Sequence, residues 1–547
     1  MFLFRFRTRV LLLVSFQLFH NIIFAQVNLS SSNLPLVFIY TNGQTIVDEP
    51  KINGKMEIIY NGVGKRNSIT DPPSHFSGNI GIEIRGNSSQ YLFPMKSYTI
   101  ELRDAAGAGE AHALLGMPAE PDWVLYAPYT DKTLMRNFMA YAMSRDQGHW
   151  ASNGRFVELI LDGEYRGIYL LEEKIKRDDN RVNIAKLTNT DLVGDALTGG
   201  YIFSLDHRPN GWVSKYPTEN GTANKVYRTF SYVYPKLEDI MPVQKAYLQT
   251  IVDRFETALA APDFEDPVKG FRKYADENSF IDYLIINEVT RNVDAYRLSS
   301  YFHKNKDSKN PKIVAGPVWD YDLAFRNAEY CFGDKMIGWA YDFNYICTGD
   351  WAQIPFWWSR LLQDEEFVKN LWCRWTYLRK TVLATNTLFK RIDSVASVLN
   401  EAKDRHFKRW PILGNYVWPN PQPFAKTYEE EVYNLKQWLS GRLFWMDDNF
   451  LNKGECVNNE ISTIVEIMIS PNPISSEAKI DFLFSNIASY DLKVMDVLGR
   501  VQYKTTGVGN IGNNSITIPA RGWPKGIFYV SLTTKKGEKS VKSLIKL

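Results

Sequence analysis

Histidine and cysteine are scarce in this chain. Its 547 residues hold seven histidines, scattered singly, and four cysteines, none in Cys-x-x-Cys spacing. That argues against a zinc site. Beyond the N-terminal segment no apolar run approaches the roughly 20 residues that cross a bilayer, so no membrane-spanning segment is expected in the mature chain. Neither sign of charge dominates: the net charge is +3, which points to no nucleic-acid partner and no acidic tail. What is plentiful is apolar and aromatic, with 45% hydrophobic residues and 15 Trp, 30 Tyr and 31 Phe. A chain this long and this apolar is expected to hold about three units.

The first 25 residues have the layout of a secretory signal peptide. Arg5, Arg7 and Arg9 precede the apolar run Val10 to Phe24, and Ala25 is a plausible cleavage residue before Gln26. Export makes disulfides permissible. Cys331, Cys347, Cys373 and Cys456 allow three pairings: Cys331 with Cys347 closes one loop and leaves Cys373 with Cys456, while free buried thiols are the alternative.

From Leu36 to Leu171 the pattern is strands and turns. Leu36 to Tyr40, Met56 to Tyr60, Gly81 to Ile84 and Thr99 to Leu102 are short apolar or alternating runs bounded by Asn and Gly. The turn Arg85-Gly86-Asn87-Ser88-Ser89 and the following Lys96 form a weak phosphate-binding signal, since backbone N–H groups of such turns can hold anionic oxygens. Leu134 to Met143 is expected as a helix. Asp162-Gly163 between Phe156 to Leu161 and Tyr165 to Leu171 predicts a hairpin, which runs on into Glu172-Glu173-Lys174. Helical spacing then marks Val243 to Leu259, Phe356 to Leu383, Leu388 to Phe407 and Thr427 to Asp447. The tryptophans among them, Trp357, Trp358, Trp372 and Trp375, are expected in the core. From about Asn459 short strands at regular spacing, with turns at Leu498-Gly499-Arg500 and Lys535-Lys536-Gly537, predict a small β-sandwich without chemistry of its own.

The stretch from Phe280 to Phe325 organises the rest. Ser279 is a candidate cap for a helix with apolar Ile281, Leu284, Ile285 and Val289. A polar hinge, Asn292-Val293-Asp294, follows, then strands around Ser300 to His303 and Ile313 to Val318. The second ends in Trp319-Asp320-Tyr321-Asp322. Acids at the end of a buried strand are costly unless paired or bound to a cation, and oxygen ligands suit Mg²⁺. For any one of these aspartates a turn role is the commoner explanation; three acids and an Asn in one helix–hairpin unit favour chemistry.

Two resemblances follow from these motifs. Pro471-Asn472-Pro473, Asp496 to Arg500, Gly526 to Val530 and the final Lys546-Leu547 resemble the type A sorting domain of Bacteroidetes type IX secretion. That implies passage across the outer membrane with the secretion machinery as partner, and a secreted or cell-surface location. The central chain resembles the spore-coat protein H (CotH) kinase family. It does so through Arg85 to Ser89, Pro94 to Asp104, Asp122 to Asn137, Phe156 to Ile175, Asn287 to Asp294 and Trp319 to Phe325. The resemblance implies an α+β, divergent protein-kinase-like two-lobed fold: a β-rich N-terminal part and a helical C-terminal part, with the sandwich after them. The expected organisation is a signal peptide at 1–25, a kinase-like domain at 34–450 and an Ig-like sorting domain at 465–547.

The same resemblance implies roles. Asp294 is the candidate base that orients the substrate hydroxyl. Asp320 is the counterpart of the kinase metal-binding aspartate, with Asp322 and Asn292 as further ligands. Lys96 is the candidate contact to the α- and β-phosphates of ATP, with Glu173 or Lys174 lining the same cleft. Asn292 precedes Asp294, the reverse of the order in an ordinary kinase catalytic loop. The expected activity is an atypical protein kinase using ATP with Mg²⁺ or Mn²⁺ on hydroxyl side chains of exported proteins. The alternative is a catalytically silent surface, adhesion or polysaccharide-machinery-associated protein that keeps the fold for binding.

Overall fold

The computed structural model describes residues 27–218, 225–450, 454, 456, 464–484, 488–510, 512–534 and 539–547. The signal peptide expected at 1–25 and the turn expected at Lys535-Lys536-Gly537 lie outside the described residues. Among the described residues the architecture is mixed α and β, with several sheets, eleven α-helices and an all-β C-terminal region.

The β-rich N-terminal part closes on itself. Seven strands form a barrel in the order Leu36–Tyr40, Ile52–Ile59, Phe76–Arg85, Ser97–Arg103, Asp122–Tyr126, Glu164–Glu173 and Gly154–Leu161. Closure comes from a parallel pairing of the first strand with the last, Leu36 opposite Glu158. The hairpin expected at Asp162-Gly163 is present, and both residues take positive φ, 49° and 80°, as a tight turn of this hand demands. Alternation sorts the side chains. Ile80, Ile82, Tyr98, Ile100, Trp123, Leu125, Tyr169 and Leu171 fill the barrel interior. Their neighbours Val124, Ile168 and Leu170 point outward, into the core of the helical part.

That larger core is built around the helix Glu277–Thr290, buried over almost its whole length. Its cap is Asp276, whose side chain accepts the Ser279 N–H at 3.0 Å. Ser279, expected as the cap, sits within the first turn instead, its hydroxyl donating to the Asp276 carbonyl at 2.7 Å. The carboxylate is the better N-cap acceptor here because it lies one residue before the helix. Beside the helix runs a five-stranded sheet, ordered Val213–Pro217, Tyr227–Tyr234, Tyr201–Leu205, Ser300–Lys304 and Ile313–Ala315.

Two of the expected long helices are each broken in two. Trp357–Leu361 is separated from Glu365–Lys380 by Asp364, which caps the second helix through the N–H groups of Glu366 and Phe367. Thr385–Leu399 is separated from Ala402–Arg409. The last helix, Tyr428–Asn449, starts at the capping box of Thr427 and Glu430. Its fully buried Arg442 pairs with Glu288 of the central helix at 3.1 Å. Trp357, Trp358 and Trp375 are core residues, and Trp372 packs at its edge.

The cysteines pair as Cys331–Cys347 and Cys373–Cys456. The second bond fastens residue 456 to the helix Glu365–Lys380, so the helical part holds on to the chain beyond residue 450. In the C-terminal region a three-stranded and a four-stranded sheet share one core that includes Ile480, Phe482, Leu492, Val530 and Leu544. This is the small sandwich the strand spacing predicts. Among the described residues no helix is long and apolar enough to cross a membrane.

Candidate active site

A cavity of about 350 Å³ lies between the outer face of the barrel and the segments that follow the central helix and the sheet. The barrel contributes Arg85, Ser97, Val124, Tyr126 and Glu172, all on the outward face of their strands. The opposite wall brings Asp294, Arg297, Asp320 and Asp322. Three of the expected site residues therefore converge: Asp294, Asp320 and Asp322 face one space.

The loop carrying two of them is held in an unusual backbone. Asp320 has φ of 63°, in the left-handed region that non-glycine residues seldom enter. Its N–H donates to the Tyr141 hydroxyl at 3.0 Å. The N–H of Tyr321 donates to the Asn137 side chain at 2.6 Å, and the Tyr321 hydroxyl donates to Asn287 at 2.8 Å. The helix Arg136–Asp146 thus grips the loop from one side and the central helix from the other. Strain held by surrounding contacts is typical of functional loops.

Asn292 does not line this cavity. Its amide nitrogen donates to the Asp320 carbonyl at 3.2 Å and its oxygen accepts the Asp294 N–H at 3.2 Å. It fastens the two acidic segments to each other, so its oxygen is occupied by the backbone rather than aimed at the cavity. Asp294 accepts from Arg297 at 2.7 Å, and Arg297 also reaches Asp350 at 3.2 Å.

Lys96, Glu173 and Lys174 do not line the cavity. The Lys96 ammonium donates to the carbonyls of Gln90 and Phe93, closing the turn after the short helix Ser89–Leu92. The physical reason is register. Ser97 is on the outward face of its strand while Tyr98, Ile100 and Leu102 fill the interior, and Lys96 falls outside that outward alternation. The same parity displaces Glu173, which accepts the Asn153 N–H at 2.9 Å; its neighbour Glu172 takes the place in the cavity wall. Lys174 lies beyond the strand end, its carbonyl accepting from Arg181 at 2.9 Å.

The motifs include Arg85 only as the first residue of its turn and Glu172 only as a neighbour of Glu173, and strand alternation is the signal that marks both side chains. Nη1 of Arg85, Oε2 of Glu172 and the Tyr126 hydroxyl are buried in the wall without a hydrogen-bond partner. The guanidinium of Arg85 stacks over Trp319 at 5.2 Å. Burial pushes the Glu172 carboxyl up to about 8, with Arg85 opposing the shift and Asp320 adding to it.

The aspartates crowd one another. Asp320 opens on the cavity while protein surrounds it on the other sides. That loss of hydration and then the charge of Asp294 push its carboxyl up to about 6. Asp322 is raised well above the ordinary range by burial, then by Asp320 and Asp294. Uncompensated carboxylates of this kind are relieved by a cation. Among the described residues no group of three or more His, Cys, Asp or Glu side chains is placed to hold a metal ion. Two carboxylates with phosphate oxygens completing the shell remain a donor set that suits Mg²⁺.

Two tryptophans stand at the rim, Trp351 at 56% and Trp418 at 42% exposure. Trp418 stacks on Tyr330 with an interplanar angle of 6°, and Trp351 lies under the guanidinium of Arg228.

Residues 82–446 match the family profile described as CotH kinase protein. Residues 468–546 match that of the secretion system C-terminal sorting domain. No curated protein matches the chain.

Proposed function

Because this chain belongs to the CotH kinase protein family, we propose that its cavity carries out ATP-dependent phosphoryl transfer to hydroxyl side chains of exported proteins. The observation that carries this reading is the convergence of Asp294, Asp320 and Asp322 on the cavity that Arg85 and the glycine-containing turn line from the barrel side. The sorting domain indicates secretion or attachment at the cell surface, which sets the compartment of the substrate.

Each residue then has a task. Asp294, oriented by Arg297, accepts or aligns the proton of the attacking hydroxyl. Asp320 and Asp322 would hold Mg²⁺ or Mn²⁺, which when bound neutralises phosphate charge. Arg85, in the place expected of Lys96, reaches the phosphates with a guanidinium donor that has no protein partner. Gly86, with φ of 108°, lets the turn of Arg85 to Ser89 pass close to the cavity. Trp319 and Tyr141, stacked at 5.8 Å, keep one wall dry.

The test is transfer of labelled γ-phosphate from ATP, with Mg²⁺ or Mn²⁺, to the mature protein itself or to co-exported proteins. Transfer is expected from the wild type and not from Asp320→Ala, which removes a charge but no core side chain. Equal transfer by both proteins would sink the assignment. A second reading, a catalytically silent surface-binding protein, is favoured by Trp351 and Trp418 at the rim, since exposed, anchored indoles suit a ligand with a flat face. Ligand capture without any phosphate transfer would decide for it.

A further inference from the structure

A second cavity, of about 240 Å³, shares no lining residue with the carboxylate cleft. Gly316, Pro317 and Val318 form part of its wall, immediately before Trp319 and Asp320 of the cleft. Its volume falls below the roughly 300–1,000 Å³ of sites for drug-sized ligands, which limits an occupant to a small molecule. Tyr283 and Ile286 of the central helix, with Val318, make it apolar at one side.

Its polar side is unfinished. Gln147, 7% exposed, has neither amide atom hydrogen-bonded, and Arg181, 3% exposed, has Nη2 without a partner. Arg181 is fixed by its other terminal nitrogen, which donates to the carbonyls of Asp122 and Lys174 at 3.1 and 2.9 Å. Burying such groups unpaired is costly. The one carboxylate in the wall, Asp282, is already satisfied by two bonds from Arg374, at 2.7 and 3.0 Å, and one from His149 at 2.8 Å. His303 is engaged as well, its Nδ1 meeting the Gly316 carbonyl at 3.1 Å. What remains open is a cationic donor, an amide donor and an amide acceptor beside an apolar surface.

We propose that this cavity binds a small α-hydroxy carboxylic acid with a short apolar side chain. The carboxylate takes Arg181 and the Gln147 amide nitrogen. The hydroxyl donates to the Gln147 oxygen, and the side chain lies against Tyr283, Ile286 and Val318. A hydroxyl fits better than an ammonium, because Arg181 already makes the wall cationic and the wall's carboxylate, Asp282, has three of its roughly four acceptor positions filled by Arg374 and His149. The site stands independently of phosphoryl transfer.

The experiment is calorimetric titration of the mature full-length protein with 2-hydroxyisocaproate, isocaproate and L-leucine. The hydroxy acid is expected to bind saturably and more tightly than either comparison. Gln147→Leu, close in shape, should weaken it roughly tenfold or more. The same variant should melt at the same temperature or higher, because it deletes two buried unpaired atoms. Magnetisation transfer from the ligand methyls to the methyls of Val318 and Ile286 locates the bound molecule without any variant. Absence of saturable binding or of that transfer would overturn the proposal. So would unchanged binding, or a lowered melting temperature, in Gln147→Leu. L-leucine binding as tightly as the hydroxy acid would also count against it.

Discussion

The hydroxyl of Tyr141 accepts the backbone N–H of Asp320 at 3.0 Å. It thereby ties the helix Arg136–Asp146 to the loop that presents two cavity carboxylates. This bond sits where the backbone is in its least comfortable conformation, φ of 63° at Asp320. Asn137, four residues earlier on the same helix, takes the next N–H along, that of Tyr321, at 2.6 Å. Two residues one helical turn apart thus hold two consecutive loop N–H groups.

Tyr141→Phe is expected to keep the ring stacked on Trp319 and to lose only the acceptor. A buried N–H left unpaired costs about 1–3 kcal/mol, to be read from denaturant unfolding. Phosphate transfer should fall on the order of tenfold with little change in the KM for ATP, because a positioning residue acts through Asp320. Loss of stability with an unchanged kcat would show that the bond serves the fold alone.

The crowding of Asp294, Asp320 and Asp322 makes a pH prediction. A carboxyl raised in the folded state gives up stability as pH rises through its folded value. For Asp320, raised from 3.8 to about 6, that loss falls between about pH 4 and pH 6, and Asp322 extends it upward. A divalent cation offsets the loss only where the carboxylates are ionised. Mn²⁺ should therefore raise the melting temperature more at pH 7.5 than at pH 5. Asp320→Asn should raise the metal-free melting temperature at pH 7.5 and abolish the Mn²⁺ effect. A Mn²⁺ effect of equal size at both pH values would remove the cation from these residues.

Arg85 and Lys96 separate by experiment. Arg85→Met should weaken ATP binding by roughly tenfold or more, the worth of a charge-assisted bond to phosphate, and leave the melting temperature nearly unchanged. Lys96→Met should do the opposite, because its ammonium is spent on the Gln90 and Phe93 carbonyls. Titration with ATP and a melting curve on each variant decide it, and the reverse pattern would restore Lys96 to the phosphates.

Much of this was legible in the sequence, and two of the gaps at the site share one cause. The Asp-Gly hairpin, the central helix and the sandwich follow from local pattern and spacing, and the grouping of Asp294 with Asp320 and Asp322 from the motifs that resemble the CotH kinase family. The choice between Lys96 and Arg85, or Glu173 and Glu172, depends on which face of a strand looks at the helices. That face is set by barrel closure, a pairing of Leu36–Tyr40 with Gly154–Leu161 across more than a hundred residues. In a strand a shift of one residue exchanges the faces, so the motifs mark the right strand ends while the side chains that line the cavity are the neighbouring ones. Asn292 is a different case: its partners are backbone groups of Asp294 and Asp320, which no spacing rule reveals.

The last prediction concerns Asp294. Its carboxylate accepts from Arg297 at 2.7 Å, and its backbone carbonyl accepts the N–H of Leu298 at 3.1 Å. Asp294→Asn keeps the carbonyl and keeps an oxygen for Arg297, so the turn should stand and the melting temperature should move little. The amide cannot take a proton from a substrate hydroxyl. If Asp294 is the base, transfer should drop on the order of 10²–10⁴-fold, the usual contribution of a positioned proton acceptor. ATP binding should survive, since Arg85, Asp320 and Asp322 are untouched. Both quantities belong to one preparation: nucleotide affinity by titration and γ-phosphate transfer by label. Binding kept with transfer lost assigns the base. Transfer kept at the wild-type rate leaves Asp294 as the residue that holds Arg297 in place.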